Sequence, residues 1–352
     1  MGEAGGPVDE LERLQDVTAW KVEPGRRFFS ATHEEIAAGL TSDVYFVKTR
    51  EILRAEGLGD TPVVAEIFPR ADGVLAGLPE VEALLRGRGV KLWALPEGST
   101  FSAREVIARI EGPYDRFGIY ETAILGFLAS SSGWATAARR VRLAAQGKPV
   151  YAFGARHVHP AVAPVMERAA LVGGVDGAAC ILAAKLMGRE PVGTVPHALF
   201  LIVGDTVEGA KAYHRVMPPE EPRTILVDTY KDEVEESLRL AESLGQVLAG
   251  VRLDTPGERG GVTPELVREL RARLDQAGYN HVTIFVSGGL NPERVAALAE
   301  AGADAFGVGS YISSAPPIDM TMDLKEVNGQ PRAKRGRVPG RTPNPRLVPI
   351  LT

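Results

Sequence analysis

Cysteine is nearly absent from this chain, and its scarcity excludes two kinds of structure. The 352 residues include one cysteine, Cys180, so neither a disulfide framework nor a zinc site built from several thiolates can form. Cys180 stands in an alanine-rich apolar segment, where we interpret it as a small buried hydrophobe rather than a nucleophile. Such a chain is typical of a reducing compartment, so we expect a cytoplasmic protein.

Long apolar runs and an excess of positive charge are also missing. No apolar stretch approaches the length that spans a bilayer, and the acidic N-terminus lacks the apolar core of a signal peptide. The formal net charge of -5 argues against a protein whose whole surface binds nucleic acid. We therefore expect neither a membrane nor a nucleic acid as partner.

The length of the chain indicates two domains, because one core rarely fills so many residues. Strands predicted in the first part follow one another without regular helix alternation, which is typical of an α+β domain. They occupy residues 61–69, 91–95 and 105–111. A helical stretch over 119–145, interrupted at Ser130–Gly133, leads into the second part.

The predicted boundaries place the first domain at residues 1–148 and the second at 149–314. Residues 315–352 begin with a strand-like return that we expect to complete the first domain. A basic run that includes Lys334, Arg335 and Arg337 follows, either as a solvated tail or as an added sheet edge.

Strands and helices alternate regularly from residue 149 onward. This alternation predicts a parallel sheet covered by helices. The predicted strands occupy residues 150–153, 192–195, 225–227, 250–253, 283–286 and 305–308. These are too few for a complete eight-stranded barrel, so we predict an irregular, incomplete α/β barrel, with a doubly wound open sheet as the alternative.

Two glycine turns follow the last two predicted strands. They consist of Ser287, Gly288 and Gly289 and of Gly309 and Ser310. Glycine lets a backbone approach a ligand closely, and Asn291 with Pro292 forms a helix start directly after the first turn. Amides and a helix N-terminus that face one spot favour phosphate binding over a purely structural pair of turns.

Polar residues also stand at the carboxyl ends of the earlier strands, where an α/β barrel collects its active site. They are Arg156, Thr194 with His197, Asp228, and Arg252 with Asp254. Singly, each has a structural interpretation as an ion pair, a loop histidine or a helix cap. Together they predict a site in which arginines meet an anionic substrate and carboxylates hold ribose hydroxyls or a magnesium-bound diphosphate.

These motifs, in this order, resemble those of the nicotinate phosphoribosyltransferase family over most of the chain. The matching segments are Asp43-Val44-Tyr45, Phe153-Gly154-Ala155-Arg156, Gly193-Thr194-Val195-Pro196-His197, Asp228-Thr229-Tyr230, Arg252-Leu253-Asp254, Ser287-Gly288-Gly289 and Gly307-Val308-Gly309-Ser310. Departures from the family pattern are His157, where many members have a second arginine, and Pro196 and Ala198 beside His197.

The resemblance implies an irregular α/β barrel with an N-terminal α+β domain and a role for each motif. His197, Arg156 and Asp254 would be catalytic, with His197 phosphorylated by ATP. Residues implied to bind substrate are Tyr45, Phe153, Thr194, Asp228 and Arg252, and those implied to bind phosphate are Ser287, Gly288, Gly289, Gly309 and Ser310. Tyr45 would serve the site of the partner subunit, so the resemblance implies a homodimer or larger assembly with shared active sites.

The implied reaction transfers phosphoribosyl from 5-phosphoribosyl-1-diphosphate to nicotinate, with ATP and Mg²⁺, and yields nicotinate mononucleotide and diphosphate for NAD biosynthesis. Quinolinate and nicotinamide are alternative acceptors. A non-catalytic nucleotide-binding regulator on the same fold is an alternative of another class.

Overall fold

A computed structural model describes residues 9–352. The helices are α1 Leu14–Ala19, α2 His33–Ala37, α3 Val44–Ala55, α4 Leu78–Leu85, α5 Glu121–Ala144, α6 Ala163–Gly173, α7 Ile181–Leu186, α8 His197–Val203, α9 Thr206–Val216, α10 Glu233–Leu244, α11 Pro264–Gln276, α12 Pro292–Ala301 and α13 Ser310–Ser313. The strands are β1 Pro62–Pro69, β2 Gly73–Val74, β3 Lys91–Ala94, β4 Thr100–Phe101, β5 Ala108–Pro113, β6 Val150–Ala152, β7 Gly177–Ala178, β8 Arg223–Leu226, β9 Leu248–Leu253, β10 Thr283–Ser287, β11 Ala305–Val308, β12 Met320–Val327, β13 Gln330–Pro331 and β14 Val348–Leu351.

Contacts between Cα atoms divide the chain into two compact units. One comprises the described residues up to Gly133 together with Pro316–Thr352, and the other comprises Trp134–Ala315. The division falls inside α5, whereas the boundary predicted at residue 148 lies beyond the end of that helix. The first eight residues of the predicted N-terminal domain lie outside the described part of the chain.

The first unit is built on an antiparallel sheet with the strand order β13-β12-β1-β5-β3-β14. Apolar side chains such as Ile67, Leu92 and Ile110 are fully buried in its core. Strand β12 pairs with β1, and β14 pairs with β3, so the C-terminal segments complete this α+β unit as predicted. The basic run is not free of the fold, because Lys334 and Arg337 both pair with Asp323 of β12.

The second unit holds a parallel sheet with the order β7-β6-β11-β10-β9-β8. Its central strands carry buried β-branched residues such as Val251, Ile284 and Val286. These side chains are buried because helices cover the sheet. The flanking helices bury one stripe each, and in α11 the stripe is Val267, Leu270 and Leu274. The predicted irregular, incomplete α/β barrel is confirmed.

Two local predictions are wrong. The predicted break at Ser130–Gly133 does not exist, because α5 runs through it. Gly133 serves packing instead, since a Cβ atom there would lie 2.3 Å from the carbonyl oxygen of Pro316. The strand predicted at 192–195 is irregular chain. The outer neighbour of β6 in the sheet is instead the two-residue β7, which was not predicted as a strand.

Candidate active site

The carboxyl ends of the parallel strands hold most of the predicted site residues. Because all strands of this sheet point the same way, these ends form a single edge. Phe153 and Arg156 follow β6, Asp228 follows β8, Arg252 lies in β9 with Asp254 after it, Ser287 ends β10, and Gly309 follows β11. The parallel sheet therefore places these polar residues along one edge, where the sequence predicted them.

Arg252 connects three segments at this edge. Its Nε donates a hydrogen bond to Oγ of Ser287 at 2.9 Å, and its Nη1 donates to Oγ1 of Thr194 at 2.8 Å. Its Nη2 lies 3.8 Å from a carboxylate oxygen of Asp254, and its side chain is 14% exposed. Burial lowers the pKa of Arg252, although the carboxylates of Asp254 and Asp228 oppose this shift. Since arginine stays protonated in proteins, Arg252 is a fixed and largely buried positive charge.

Two aromatic rings flank that charge. The guanidinium carbon of Arg252 lies 5.2 Å from the ring centroid of Phe153 and 5.8 Å from that of Phe285. The two rings meet edge to face, with centroids 5.8 Å apart. Gly307 makes room for Phe153, because a Cβ atom there would lie 2.5 Å from its ring. An aromatic wall beside a guanidinium suits a planar ring that carries an anionic group.

His197 and Asp228 form a hydrogen-bonded pair. Nε2 of His197 lies 3.0 Å from Oδ1 of Asp228, and the side chains are 36% and 3% exposed respectively. Burial raises the pKa of Asp228, while the hydrogen bond with His197 lowers it. A carboxylate that holds one ring nitrogen fixes the tautomer and leaves the other nitrogen available.

The first glycine turn has the backbone shape that a phosphate cradle needs. Gly288 and Gly289 have φ angles of +90° and +59°, which disfavour residues with a side chain. The side chain of Asn291 caps α12 by accepting a hydrogen bond from the N–H of Arg294 at 2.9 Å. Oγ of Ser287 donates to Oδ1 of Asp254 at 2.7 Å, so the end of β10 is tied to the end of β9.

Backbone amides on both turns are left free. Within residues 9–352, the N–H groups of Gly289, Gly309 and Ser310 have no hydrogen-bond acceptor. The two turns are neighbours, since Ser287 pairs with Gly307 across the β10 and β11 ladder. Free amides on adjacent turns, one of which opens a capped helix, are a suitable site for an anion.

The second turn packs against the loop that follows β6. A Cβ atom at Gly309 would lie 2.9 Å from Cε1 of His157 and 3.0 Å from the carbonyl oxygen of Phe153. Nδ1 of His157 lies 3.2 Å from Oγ of Ser313. This packing places the segment of Phe153 and Arg156 beside the turn of Gly309 and Ser310.

Two family models together match most of this chain. The model for the N-terminal domain of quinolinate phosphoribosyl transferase matches residues 43–132, and the model for the C-terminal domain of the same enzyme matches residues 134–323. The chain belongs to the quinolinate phosphoribosyl transferase family. It is therefore a phosphoribosyltransferase, and the strand-end site is the candidate site of phosphoribosyl transfer.

Relatives of the chain carry two kinds of name. The chain is 33% identical to nicotinate phosphoribosyltransferase pncB2 of Mycobacterium tuberculosis, over 88% of this chain and 70% of the relative. It is 24% identical to the probable carboxylating nicotinate-nucleotide pyrophosphorylase of Methanothermobacter thermautotrophicus, over 78% of this chain and 94% of the relative.

A solved structure gives a close overall match. Nicotinate-nucleotide pyrophosphorylase from Pyrococcus furiosus is 47% identical, with a TM-score of 0.86 over 90% of this chain and 82% of that chain. The predicted resemblance is thus confirmed for the phosphoribosyltransferase family and fold, while nicotinate as acceptor stays a prediction.

Tyr45 lies in the other unit of this phosphoribosyltransferase. It is the second residue of α3, and its side chain is 55% exposed. Its ring contacts that of Phe46, with centroids 4.2 Å apart. The predicted role of Tyr45 in a shared site stays a prediction.

Sequence reasoning missed Glu167, a residue that shapes this site. The carboxylate of Glu167 is fully buried on α6 and accepts N–H groups from Ala155 at 2.9 Å and from Cys180 at 2.6 Å. Glu167 therefore ties together the loops that follow β6 and β7. Its only sequence signal was a charged residue on the buried stripe of a helix.

No group of three or more histidine, cysteine or acidic side chains in residues 9–352 is arranged to hold a metal ion. In the same residues, no helix is both long enough and apolar enough to cross a membrane.

Proposed function

We propose that this phosphoribosyltransferase uses nicotinate as acceptor and produces nicotinate mononucleotide and diphosphate. The observation that carries this proposal is Arg252, one largely buried cation set between the rings of Phe153 and Phe285. A pyridine ring would contact the aromatic wall, and its single carboxylate would meet the guanidinium. Nicotinamide lacks that negative charge, so it gains less from a desolvated arginine.

Phosphoribosyl transfer requires that the site orient the substrates and stabilise the developing charge, and it does not require a protein nucleophile. As the bond between ribose C1 and the diphosphate oxygen breaks, positive charge develops on the ribose while the pyridine nitrogen attacks C1. In this proposal Asp254 faces the ribose, Arg156 faces the departing diphosphate, and the glycine turns hold the 5′-phosphate. Mg²⁺ carried by the diphosphate would neutralise part of its charge.

We further propose that ATP hydrolysis drives the reaction through His197. Asp228 engages Nε2, so Nδ1 is the nitrogen that would attack the γ-phosphorus, with ADP as leaving group. Water would later hydrolyse the phosphohistidine. The added charge next to the diphosphate site would favour the productive complex.

Quinolinate is the second candidate acceptor, and the match to the quinolinate phosphoribosyl transferase models favours it. Quinolinate carries two neighbouring carboxylates and needs a second cation close to the first. At the strand ends Arg156 could supply it, because within residues 9–352 Arg156 has no hydrogen-bond or ion-pair partner. Its side chain is exposed, however, whereas Arg252 is largely buried.

The deciding experiment measures diphosphate release from 5-phosphoribosyl-1-diphosphate with nicotinate, quinolinate and nicotinamide in parallel, with and without ATP. Nicotinate should give a kcat/KM at least tenfold above either alternative, and ATP should increase it. Carbon dioxide release with quinolinate would move the assignment to the second candidate. Absence of turnover with every acceptor would favour a regulator on this fold.

A further inference from the structure

Arg294 lies directly behind the first glycine turn and has no role in the chemistry above. It occupies the first turn of α12 and is half-buried. We infer that Arg294 is a positioning residue for phosphate recognition and that it aims the N–H group of Leu290 at the 5′-phosphate of the donor. This inference deepens the proposed function and rests on it.

The guanidinium of Arg294 acts on backbone oxygens. Its Nη1 donates to the carbonyl oxygen of Gly289 at 3.0 Å, and its Nη2 donates to that of Val262 at 3.1 Å. One side chain thus joins the turn after β10 to the segment that precedes α11. Because Gly288 and Gly289 both have positive φ angles, the turn itself contributes little rigidity, and this clamp limits its freedom.

The clamp also sets the direction of the next amide. In a trans peptide, the C=O and N–H groups point to opposite sides. The carbonyl of Gly289 points at Arg294, so the N–H of Leu290 points away from it. Leu290 is only 3% exposed, and within residues 9–352 its N–H has no acceptor. An orphaned donor at a buried residue requires an explanation, and an anionic ligand in the turn provides one.

Arg271 is a matched arginine that shows what a purely structural clamp looks like. It also donates to two backbone carbonyls, Val282 at 2.6 Å and Tyr279 at 3.2 Å. Asp275 neutralises its charge at 2.7 Å. The hydrogen bonds of Arg271 hold the segment that precedes the amino end of β10. Arg294 has no carboxylate within 4.0 Å in residues 9–352. Its uncompensated charge adds to the attraction of the turn for an anion.

The test compares ligands with and without the phosphate. Calorimetry measures the binding of nicotinate mononucleotide and of nicotinate riboside to the wild type, Arg294→Gln, Arg294→Lys and Arg271→Gln. We expect Arg294→Gln to weaken mononucleotide binding about tenfold and to leave riboside binding unchanged. Arg294→Lys should lie between, because it keeps the charge and loses the two-carbonyl clamp. Arg271→Gln should keep the wild-type ratio and lower only the unfolding temperature.

Ribose 5-phosphate separates this inference from the choice of acceptor, because it carries the phosphate without the base. If the wild type binds ribose 5-phosphate and Arg294→Gln binds it about tenfold more weakly, the inference holds even where nicotinate is the wrong acceptor. Equal binding of mononucleotide or ribose 5-phosphate by wild type and Arg294→Gln overturns it. Equal weakening of mononucleotide and riboside also overturns it, because the effect would not be specific to the phosphate.

Discussion

The two edges of the parallel sheet use the same residue types in different ways. At the amino edge, carboxylates accept strand N–H groups, Asp176 from Val150 at 2.9 Å and Asp304 from Ile284 at 2.8 Å. The ammonium group of Lys148 donates to the carbonyl of Ala299 at 2.9 Å. These polar groups are satisfied within the chain, so this edge only fixes the starts of the strands.

At the carboxyl edge, backbone N–H groups and one cationic side chain lack hydrogen-bond partners within the described part of the chain. Three amides on the glycine turns have no acceptor in residues 9–352, and Arg156 has no partner there. The buried groups at this edge, Arg252 and Asp228, contact other site residues rather than the backbone of the strands. Unsatisfied polar groups on a rigid edge are free to bind a ligand, and this difference makes the carboxyl edge the candidate functional face.

Replacing Arg252 should produce the largest effect. Arg252→Gln removes the buried charge and the two charge-assisted hydrogen bonds that its guanidinium would donate to the nicotinate carboxylate. Each such bond is worth about 1.5–3 kcal/mol, so we expect kcat/KM for nicotinate to fall at least about 100-fold. The amino-edge variant Asp304→Asn should lower the unfolding temperature and leave kcat/KM within about twofold of wild type. Similar losses of activity in both variants would contradict the contrast between the edges.

The carboxyl edge is expected to be incomplete without a second subunit. Tyr45→Ala and Arg156→Ala should each be nearly inactive, because the proposed shared site draws one residue from each chain. Equal mixing and subunit exchange put half of the chains into mixed dimers with one intact site, so about a quarter of wild-type activity should return. Two Arg156→Ala samples treated in the same way serve as the control and should recover none. Lack of recovery after exchange, verified by native mass spectrometry, would contradict a shared site.

Local patterns in the sequence were sufficient to find the strands that carry this edge. The short, mainly apolar runs before Ser287 and Gly309 and the cap at Asn291 indicate strand, turn and helix without tertiary information. Strand β7 could not be found this way, because Gly177 and Ala178 carry no strand signal and extend only by pairing with β6.

The position of a candidate site residue was predictable where that residue stands at the end of a recognisable strand, as with Asp228 and Asp254. It was missed where a contact joins distant segments. Phe285 lies inside β10, and its partners Phe153 and Arg252 come from other strands. Glu167 serves two loops through hydrogen bonds to backbone N–H groups, which leave no trace in a pattern of side chains.

Replacing His197 or Asp228 should have a smaller effect, which is confined to the ATP step. Wild-type protein incubated with ATP labelled at the γ-phosphate should acquire label that is acid-labile and base-stable, and His197→Ala should acquire none. Asp228→Asn should label about tenfold more slowly, because an amide cannot stabilise the imidazolium as a carboxylate does. Equal labelling of wild type and His197→Ala would remove His197 from the ATP step and leave the transferase assignment intact.

Glu167 gives the smallest expected effect. In Glu167→Gln the side-chain amide has one oxygen that can accept a loop N–H, whereas the carboxylate has two. The loss of one hydrogen bond of about 1 kcal/mol should lower kcat/KM about fivefold. Glu236→Gln is the matched control, since Glu236 is also fully buried on a flanking helix but pairs with Arg239. That variant should leave kcat/KM within about twofold of wild type and lower only the unfolding temperature.

The pH dependence of stability separates a positioning role of Glu167 from a packing role. Burial raises the pKa of Glu167 above its ordinary value, more than the hydrogen bonds from Cys180 and Ala155 lower it. The folded state therefore holds this proton more tightly than the unfolded chain, and stability falls as the pH rises from the ordinary value through the folded-state pKa. Gln cannot ionise, so the stability of Glu167→Gln should not fall with rising pH in this way. At pH 8 its unfolding temperature should be no lower than that of wild type, although its kcat/KM is lower. A parallel fall in unfolding temperature and activity at pH 8 would instead assign Glu167 to packing alone.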